Sequence, residues 1–400
     1  MLANLPPTLS LSLLGSLLPI FIHPTLGHSI SAHTPSHNSH NPLCTPLSFT
    51  LTATAEHISL ASPPDPTNET EILSILSQAW DGTLVTNGTQ TRCSHENENK
   101  NENKDVLQIL LHGATYNKTM WSGYGFGYPY DWQSYATSPS QGYHTLALDR
   151  LSHGENDPRG LDPLNNVQMP LQTELLHQLI SMVKTNTTSS KTNPLGKTFP
   201  KIVLVGHSLG SYLSIALARS YPLDASALVL TGYSSRQNTL HVRSAPWVSA
   251  PLVFPDRFSS TLYHHNLEYL TVATLEGREK GFYDNATDAA GRTYDPELAR
   301  TDYEYSDAST LGELVSSGDW GRGAEEFRGA VLVATGQRDW VMCSPPEESC
   351  VRRLRETGKT FPRARRYEIW APEETGHDLT LSYSAGETLR VVHEFLGREV

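Results

Sequence analysis

Residues 201–210 read KIVLVGHSLG. Ile202 to Val205 form a short apolar run, Gly206-His207-Ser208-Leu209-Gly210 follows without a spacer, and Leu209 to Tyr221 continues with helical character. A run this short, bounded by glycine, reads as a buried strand rather than a helix. The stretch is therefore strand, tight turn, helix, with a serine on the turn. The pattern G-x-S-x-G alone says little: at glycine and serine frequencies of roughly 7% each, a chain this long holds one by chance about one time in ten. Its position between a strand and a helix gives it content, because that turn exposes a serine Oγ at the end of a sheet. It also brings helix N-terminal N–H groups to bear on nearby negative charge.

Working outward, the same short apolar runs recur. They are VLQILLHG (Val106–Gly113), YHTLALD (Tyr143–Asp149), SALVLTG (Ser226–Gly232) and AVLVATG (Ala330–Gly336), with the more amphipathic ARRYEIWA (Ala364–Ala371) after them. PLSFTLTATAEHISLA (Pro46–Ala61) alternates and reads as an earlier strand. Near-continuous apolar character is expected of parallel strands covered on both faces. Between the runs lie helical segments. Val167, Leu171, Leu175, Leu179 and Val183 repeat every four residues, and Gly386 to Leu396 forms another helical segment. The fold class is therefore α/β, a mostly parallel central sheet flanked by helices. The alternation breaks over residues 235–328, which hold many aromatic residues but no strong strand run. This segment reads as a mainly helical cap inserted into the core. The expected organisation is a signal segment at 1–27, a mobile leader at 28–45, the first part of the core at 46–234, the cap at 235–328 and the second part of the core at 329–400.

A nucleophilic serine needs a base, and the base needs an orienting acid. AVLVATG leads into Gln337-Arg338-Asp339, and ARRYEIWA leads through a Glu-rich loop to Thr375-Gly376-His377-Asp378. Both loops follow strands, where open α/β sheets place their sites. Asp339 is the expected acid and His377 the expected base, while Asp378 reads as a helix-capping residue. An oxyanion needs two N–H donors. Leu209, just after Ser208, is one. The loop His112-Gly113-Ala114-Thr115 supplies the other, with Ala114 favoured and Thr115 the alternative. The His112 ring is expected to hold that loop in shape.

HGATYNKTMW, LDRLSHGENDP, VGHSLGS, TGQRDWV and TGHDLTLSYSA together resemble the α/β-hydrolase superfamily, from about Pro46 to the C-terminus. DRLSHG is similar to the Asp-Arg-x-Gly-x-Gly loop common after the fourth strand of such proteins, with Ser152 and His153 placed before Gly154. The export signal, the sequons and this loop look most like secreted fungal members. The resemblance implies the chain order Ser, acid, His, which Ser208, Asp339 and His377 satisfy. Members with aspartate at the elbow are epoxide hydrolases or haloalkane dehalogenases, whereas Ser208 points to acyl transfer. The expected function is cleavage of a carboxylic ester or lactone through an acyl-enzyme. Two other readings remain: a secondary-metabolite tailoring enzyme using the same triad, and a non-catalytic binding protein on a hydrolase scaffold.

The N-terminus carries an apolar stretch, Leu9 to Ile22, too short to span a bilayer comfortably and interrupted by Pro19. Small residues follow at Gly27 and Ala32, as at a signal-peptidase site. Cys343 and Cys350 flank a Pro-Pro turn, which leaves Cys44 and Cys93 for each other. Sequons occur at Asn68, Asn87, Asn117, Asn186 and Asn285. Together these point to an extracellular, disulfide-bonded glycoprotein. The net charge of −12, with no Lys/Arg-rich run, argues against a nucleic-acid partner. No zinc-ligand spacing and no Walker loop occurs, so neither cofactor nor metal is expected, and the partner is a small-molecule ester or lactone. The sequence carries no mark of oligomeric state. The aromatic residues from Tyr116 to Trp132 and those of the cap are expected to converge over Ser208.

Overall fold

Five of the apolar runs become buried strands of one sheet, and the amphipathic ARRYEIWA joins them as a partly exposed strand at its edge. In a computed structural model of the chain, the residues described are 43–58, 79–94, 104–156, 161–185, 193, 195–237, 247–258, 266–283, 291–317, 322–343 and 349–400. The expected signal segment, most of the leader, most of the polar run Ser94–Lys104, and Asn68, Asn186 and Asn285 lie outside them. The sheet contains β1 (Leu43–Ile58), β2 (Ala79–Ser94), β3 (Val106–Leu111), β4 (His144–Leu148), β5 (Lys201–His207) and β6 (Ala227–Thr231). Three short strands, β7 (Trp247–Ser249), β8 (Tyr269–Val272) and β9 (Ser309–Thr310), form a second sheet, and β10 (Ala330–Ala334) and β11 (Arg366–Trp370) complete the first.

The strand order of the large sheet is β1-β2-β4-β3-β5-β6-β10-β11. The six strands from β4 to β11 run parallel, and β1 and β2 form an antiparallel ribbon at one edge. After β3 the chain moves to β4 on one side, and β5 returns to the other side of β3. That reversal between β3 and β5 is where open α/β sheets leave a crevice at their carboxyl ends. It sets the loop after β3 beside the turn after β5.

The longer helices are α1 (Trp132–Thr137), α2 (Met169–Lys184), α3 (Leu209–Ser220), α4 (Pro296–Glu304), α5 (Leu311–Ser316), α6 (Cys350–Thr357) and α7 (Ala385–Glu399). Helix α2 buries Leu171, Leu175, Leu176, Leu179, Ile180 and Val183, so the four-residue repeat read in the sequence is its core face. The core divides on the two sides of the sheet. Leu107, Ile109, Leu204 and Leu228 face α2 and α3, while Leu110, Val203, Val205 and Val229 face α7 with Phe395 and Leu396. Leu204 is fully buried at the centre of the sheet. Leu204→Ala is expected to cost about 2–5 kcal/mol, through lost transfer energy plus the cavity left behind. A lowered denaturant midpoint with unchanged slope checks it.

The stretch from 235 to 328 carries α4, α5 and shorter helical turns, together with the small sheet β7-β8-β9 that the sequence does not reveal. Those strands are only two to four residues long, too short to show alternation. Cys343 and Cys350 are joined by a disulfide with Cα atoms 5.3 Å apart. Cys44 is disulfide-bonded as well, and β1–β2 register sets it opposite Cys93.

Candidate active site

β5 ends at His207 and α3 begins at Leu209, leaving Ser208 alone to turn the chain. It does so at φ 51° and ψ −115°, a left-handed conformation that a non-glycine residue holds only when its surroundings impose it. The imposition is visible. Ser208 N–H donates to Thr231 O at 2.9 Å. Gly206 and Gly210 let the turn close, because a Cβ on Gly206 would run into the Gly210 backbone, and one on Gly210 into the carbonyls of Leu111 and His112.

Ser208 Oγ lies 2.8 Å from His377 Nε2, and His377 Nδ1 lies 2.8 Å from Asp339 Oδ2. Asp339 Oδ1 accepts the Met342 N–H at 2.8 Å, which fixes the carboxylate plane. Ser208 is 8% exposed, His377 1% and Asp339 0%, so the chain of bonds runs from the surface inward. Burial works against charge on His377, but the adjacent Asp339 carboxylate, helped by Asp378, outweighs it and holds the imidazole above its ordinary pKa of 6.5. The three residues come from loops after β5, β10 and β11, all at one end of the sheet.

The loop after β3 stands beside this group. A Cβ built on Gly113 would sit 3.1 Å from Ser208 Cβ. The N–H groups of Ala114 and Leu209 form no hydrogen bond among the described residues. Thr115, the alternative donor, is excluded because its N–H donates to Ser309 Oγ at 2.8 Å. His112 does hold the loop: Nδ1–H donates to Gly113 O at 2.9 Å, while Nε2 accepts the Arg150 N–H at 3.0 Å. Burial and the Arg150 charge depress its pKa well below 6.5, in keeping with that neutral tautomer.

Asp378 corrects the reading from sequence. It caps no helix; α7 begins seven residues later behind Ser384. Its carboxylate instead lies 3.0 Å from His207 Nε2 and accepts the Tyr116 hydroxyl. Burial opposes the Asp378 charge, but the His207 hydrogen bond and the nearby His207, His377 and Arg278 overcome it and keep the carboxyl below its usual range. Burial likewise pushes His207 down, although the hydrogen bond to Asp378 and its charge work the other way. The His207 and His377 rings are 5.1 Å apart, which places a second buried negative charge near His377.

The aromatic segments converge in part. Phe282 stands 6.0 Å from the His377 ring, with Tyr116 and Trp247 edge-on to it at 6.4 and 6.5 Å. Trp121 and Trp132 instead pack on each other at 5.4 Å and belong to the core. The buried cap cation, Arg278, is taken up by Asp302, with Nε and Nη2 donating at 2.6 and 2.9 Å. Among the described residues, no group of three or more His, Cys, Asp or Glu side chains is arranged to hold a metal ion. Among the same residues, no helix is long and apolar enough to cross a membrane.

Residues 108–390 match the family model described as the alpha/beta hydrolase family. The chain belongs to the alpha/beta hydrolase family. No curated protein sequence matches it. Among solved structures, this alpha/beta hydrolase is similar to a laboratory-evolved variant of potato epoxide hydrolase, at 12% identity and a TM-score of 0.50, over 78% of this chain and 96% of that one. It is also similar to a thermophilic esterase from Thermogutta terrifontis, at 15% identity and a TM-score of 0.49, over 78% and 94%. A monoacylglycerol lipase from Paleococcus ferrophilus aligns at 17% identity and a TM-score of 0.47, over 77% and 97%. At 12% identity the likeness to the epoxide hydrolase variant is one of fold.

Proposed function

We propose that this alpha/beta hydrolase is a secreted serine hydrolase that cleaves a carboxylic ester or lactone, with Ser208 as nucleophile, His377 as base and Asp339 as orienting acid. The observation that carries the reading is the unbroken chain from Ser208 Oγ through His377 to Asp339, with both links at 2.8 Å. Ser208 Oγ attacks the substrate carbonyl as its proton passes to His377 Nε2. The Leu209 and Ala114 N–H groups receive the oxyanion. His377 then protonates the leaving alcohol, and water activated by His377 releases the acid from the acyl-enzyme. Apart from the substrate and water, each step uses only side chains and backbone of this chain. The Cys343–Cys350 disulfide supports an oxidising compartment.

Phe282, Tyr116 and Trp247 favour an apolar or aromatic group beside the scissile bond, since aromatic walls gain from both burial and ring geometry. Arg278 is neutralised by Asp302, so it offers no free cation to an anionic substrate. A medium-sized apolar or aromatic ester or lactone fits best. A panel of short-chain, aryl and long-chain esters and macrolactones is expected to show highest kcat/KM among short-chain or aryl esters or lactones. A clear preference for long-chain triglyceride or for a charged acyl group contradicts this substrate class.

The base works only when neutral, so kcat/KM is expected to rise with pH through the elevated pKa of His377. Asp378 contributes to that elevation, so Asp378→Asn removes a negative charge that favours the imidazolium. The acidic limb of the pH profile then moves to lower pH. Full pH–rate profiles of both proteins check it, and an unmoved or upward-shifted limb contradicts it.

A further inference from the structure

In the loop between β3 and α1, Thr115 is given no chemical role yet is held at its N–H, its carbonyl and its hydroxyl by the segment between β8 and α5. Thr115 sits at φ 61°, a left-handed conformation costly for a β-branched residue. Its N–H donates to Ser309 Oγ at 2.8 Å, its carbonyl accepts the Asp307 N–H at 2.8 Å, and its Oγ1 accepts Arg278 Nη1–H at 2.9 Å. All three partners lie in the 235–328 segment. One residue back, the peptide joining Gly113 to Ala114 is held through its oxygen. Gly113 O accepts from His112 Nδ1 at 2.9 Å and from Arg150 Nη2 at 3.2 Å. Arg150 Nε donates to His112 O at 3.0 Å, so one guanidinium grips two successive carbonyls. Arg150 in turn is clamped by Glu313 of α5, with Nη1 donating to Oε2 at 2.6 Å, and both side chains are almost wholly buried.

A peptide unit is planar and trans, so fixing its oxygen fixes its N–H on the opposite side. The oxygen of Gly113 is held by Arg150 and His112, which determines where the Ala114 N–H points. The next peptide is fixed through Ser309 and the one after through Asp307. We propose that the cap preorganises the oxyanion loop, with Ser309 and the Glu313-anchored Arg150 as positioning residues that aim the Ala114 N–H at the reacting carbonyl. This rests on the reading of Ser208 as an acyl-transfer nucleophile. On this account the cap is part of the catalytic frame as well as a wall of the pocket. Moving Asp307 and Ser309 away from the sheet releases the loop that binds the oxyanion. A donor aimed in advance costs no reorganisation during reaction, and a misaimed one loses much of its worth.

Ser309→Ala and Arg150→Lys test it. The first removes the acceptor for Thr115 N–H. The second keeps the charge beside Glu313 but loses the fork that spans two carbonyls. With a p-nitrophenyl ester, each variant is expected to lose about 10- to 100-fold in kcat while KM stays within about threefold, the signature of an interaction made in the transition state. Affinity for an alkyl boronic acid, which forms a tetrahedral adduct on serine, falls by a similar factor. Thermal melts establish that the variants are folded, and if Arg150→Lys does not fold, Ser309→Ala alone decides. A folded Ser309→Ala protein with wild-type kcat and wild-type boronate affinity overturns the proposal while leaving the hydrolase reading intact. A wild-type protein that neither cleaves esters nor reacts with a fluorophosphonate overturns both.

Discussion

Ser208→Ala is expected to lower kcat/KM for a p-nitrophenyl ester by about 10³-fold or more, with the fold preserved. The hydroxyl is the only atom removed, and it lies at the end of the chain of bonds, where Ser208 is 8% exposed. The elbow does not depend on it. The turn is closed by the Ser208 backbone N–H on Thr231 O and by the hydrogen bonds of Ser211 Oγ to Gly206 O and Thr231 O, which the substitution leaves alone. The stability change should therefore be about 1 kcal/mol, the net worth of the single hydrogen bond to His377 Nε2 that is lost. Any residual rate would come from the Leu209 and Ala114 donors and from substrate binding. Fluorophosphonate labelling should disappear in parallel. Ester hydrolysis at the wild-type rate by a folded Ser208→Ala protein would falsify the assignment of the nucleophile.

Ser208, Asp339 and His377 are legible in the sequence because each is tied to a local pattern: a strand run, then a loop residue at its carboxyl end. The strand need only be recognised for the residue to be placed. β2 escapes that logic. AWDGTLVTNGTQTRCS is half polar, and its Asn87-Gly88 step reads as a turn, yet it pairs with β1 along sixteen residues as an antiparallel ribbon. Antiparallel strands need not be covered on both faces, so their sequences can lack the continuous apolar signal of β5. The buried charges are hidden for a different reason. Arg150 meets Glu313 across 163 positions and Asp378 meets His207 across 171, so neither pairing leaves a local mark. Asp378, beside a histidine and before a helix, looks like a cap when its neighbours in sequence are the only ones in view. Composition alone points Trp121 and Trp132 toward the pocket, whereas the T-shaped pair they form is core packing.

Asp339→Asn is expected to cost about 10⁴-fold in kcat with little change in KM, through the position of one proton. The two oxygens of Asp339 have different duties. Oδ1 accepts the Met342 N–H at 2.8 Å, and Oδ2 lies 2.8 Å from His377 Nδ1. An asparagine amide must divide these between an oxygen and an NH2 group. Its NH2 cannot face Met342, because two donors would meet there in a site closed to water. The amide oxygen therefore stays on Met342, and the NH2 turns to His377. Nδ1 must then accept, and the imidazole carries its proton on Nε2, against Ser208 Oγ. A ring in that tautomer cannot take the serine proton, although every heavy atom remains near its place. The stability cost is small beside the kinetic one, since the Met342 hydrogen bond is unchanged and the His377 bond persists with donor and acceptor exchanged. Steady-state kinetics with an activated ester, alongside a thermal melt, separates the two. A loss of less than about tenfold in a folded variant would mean that His377 does not depend on Asp339 for its proton, and another orienting group would have to be sought.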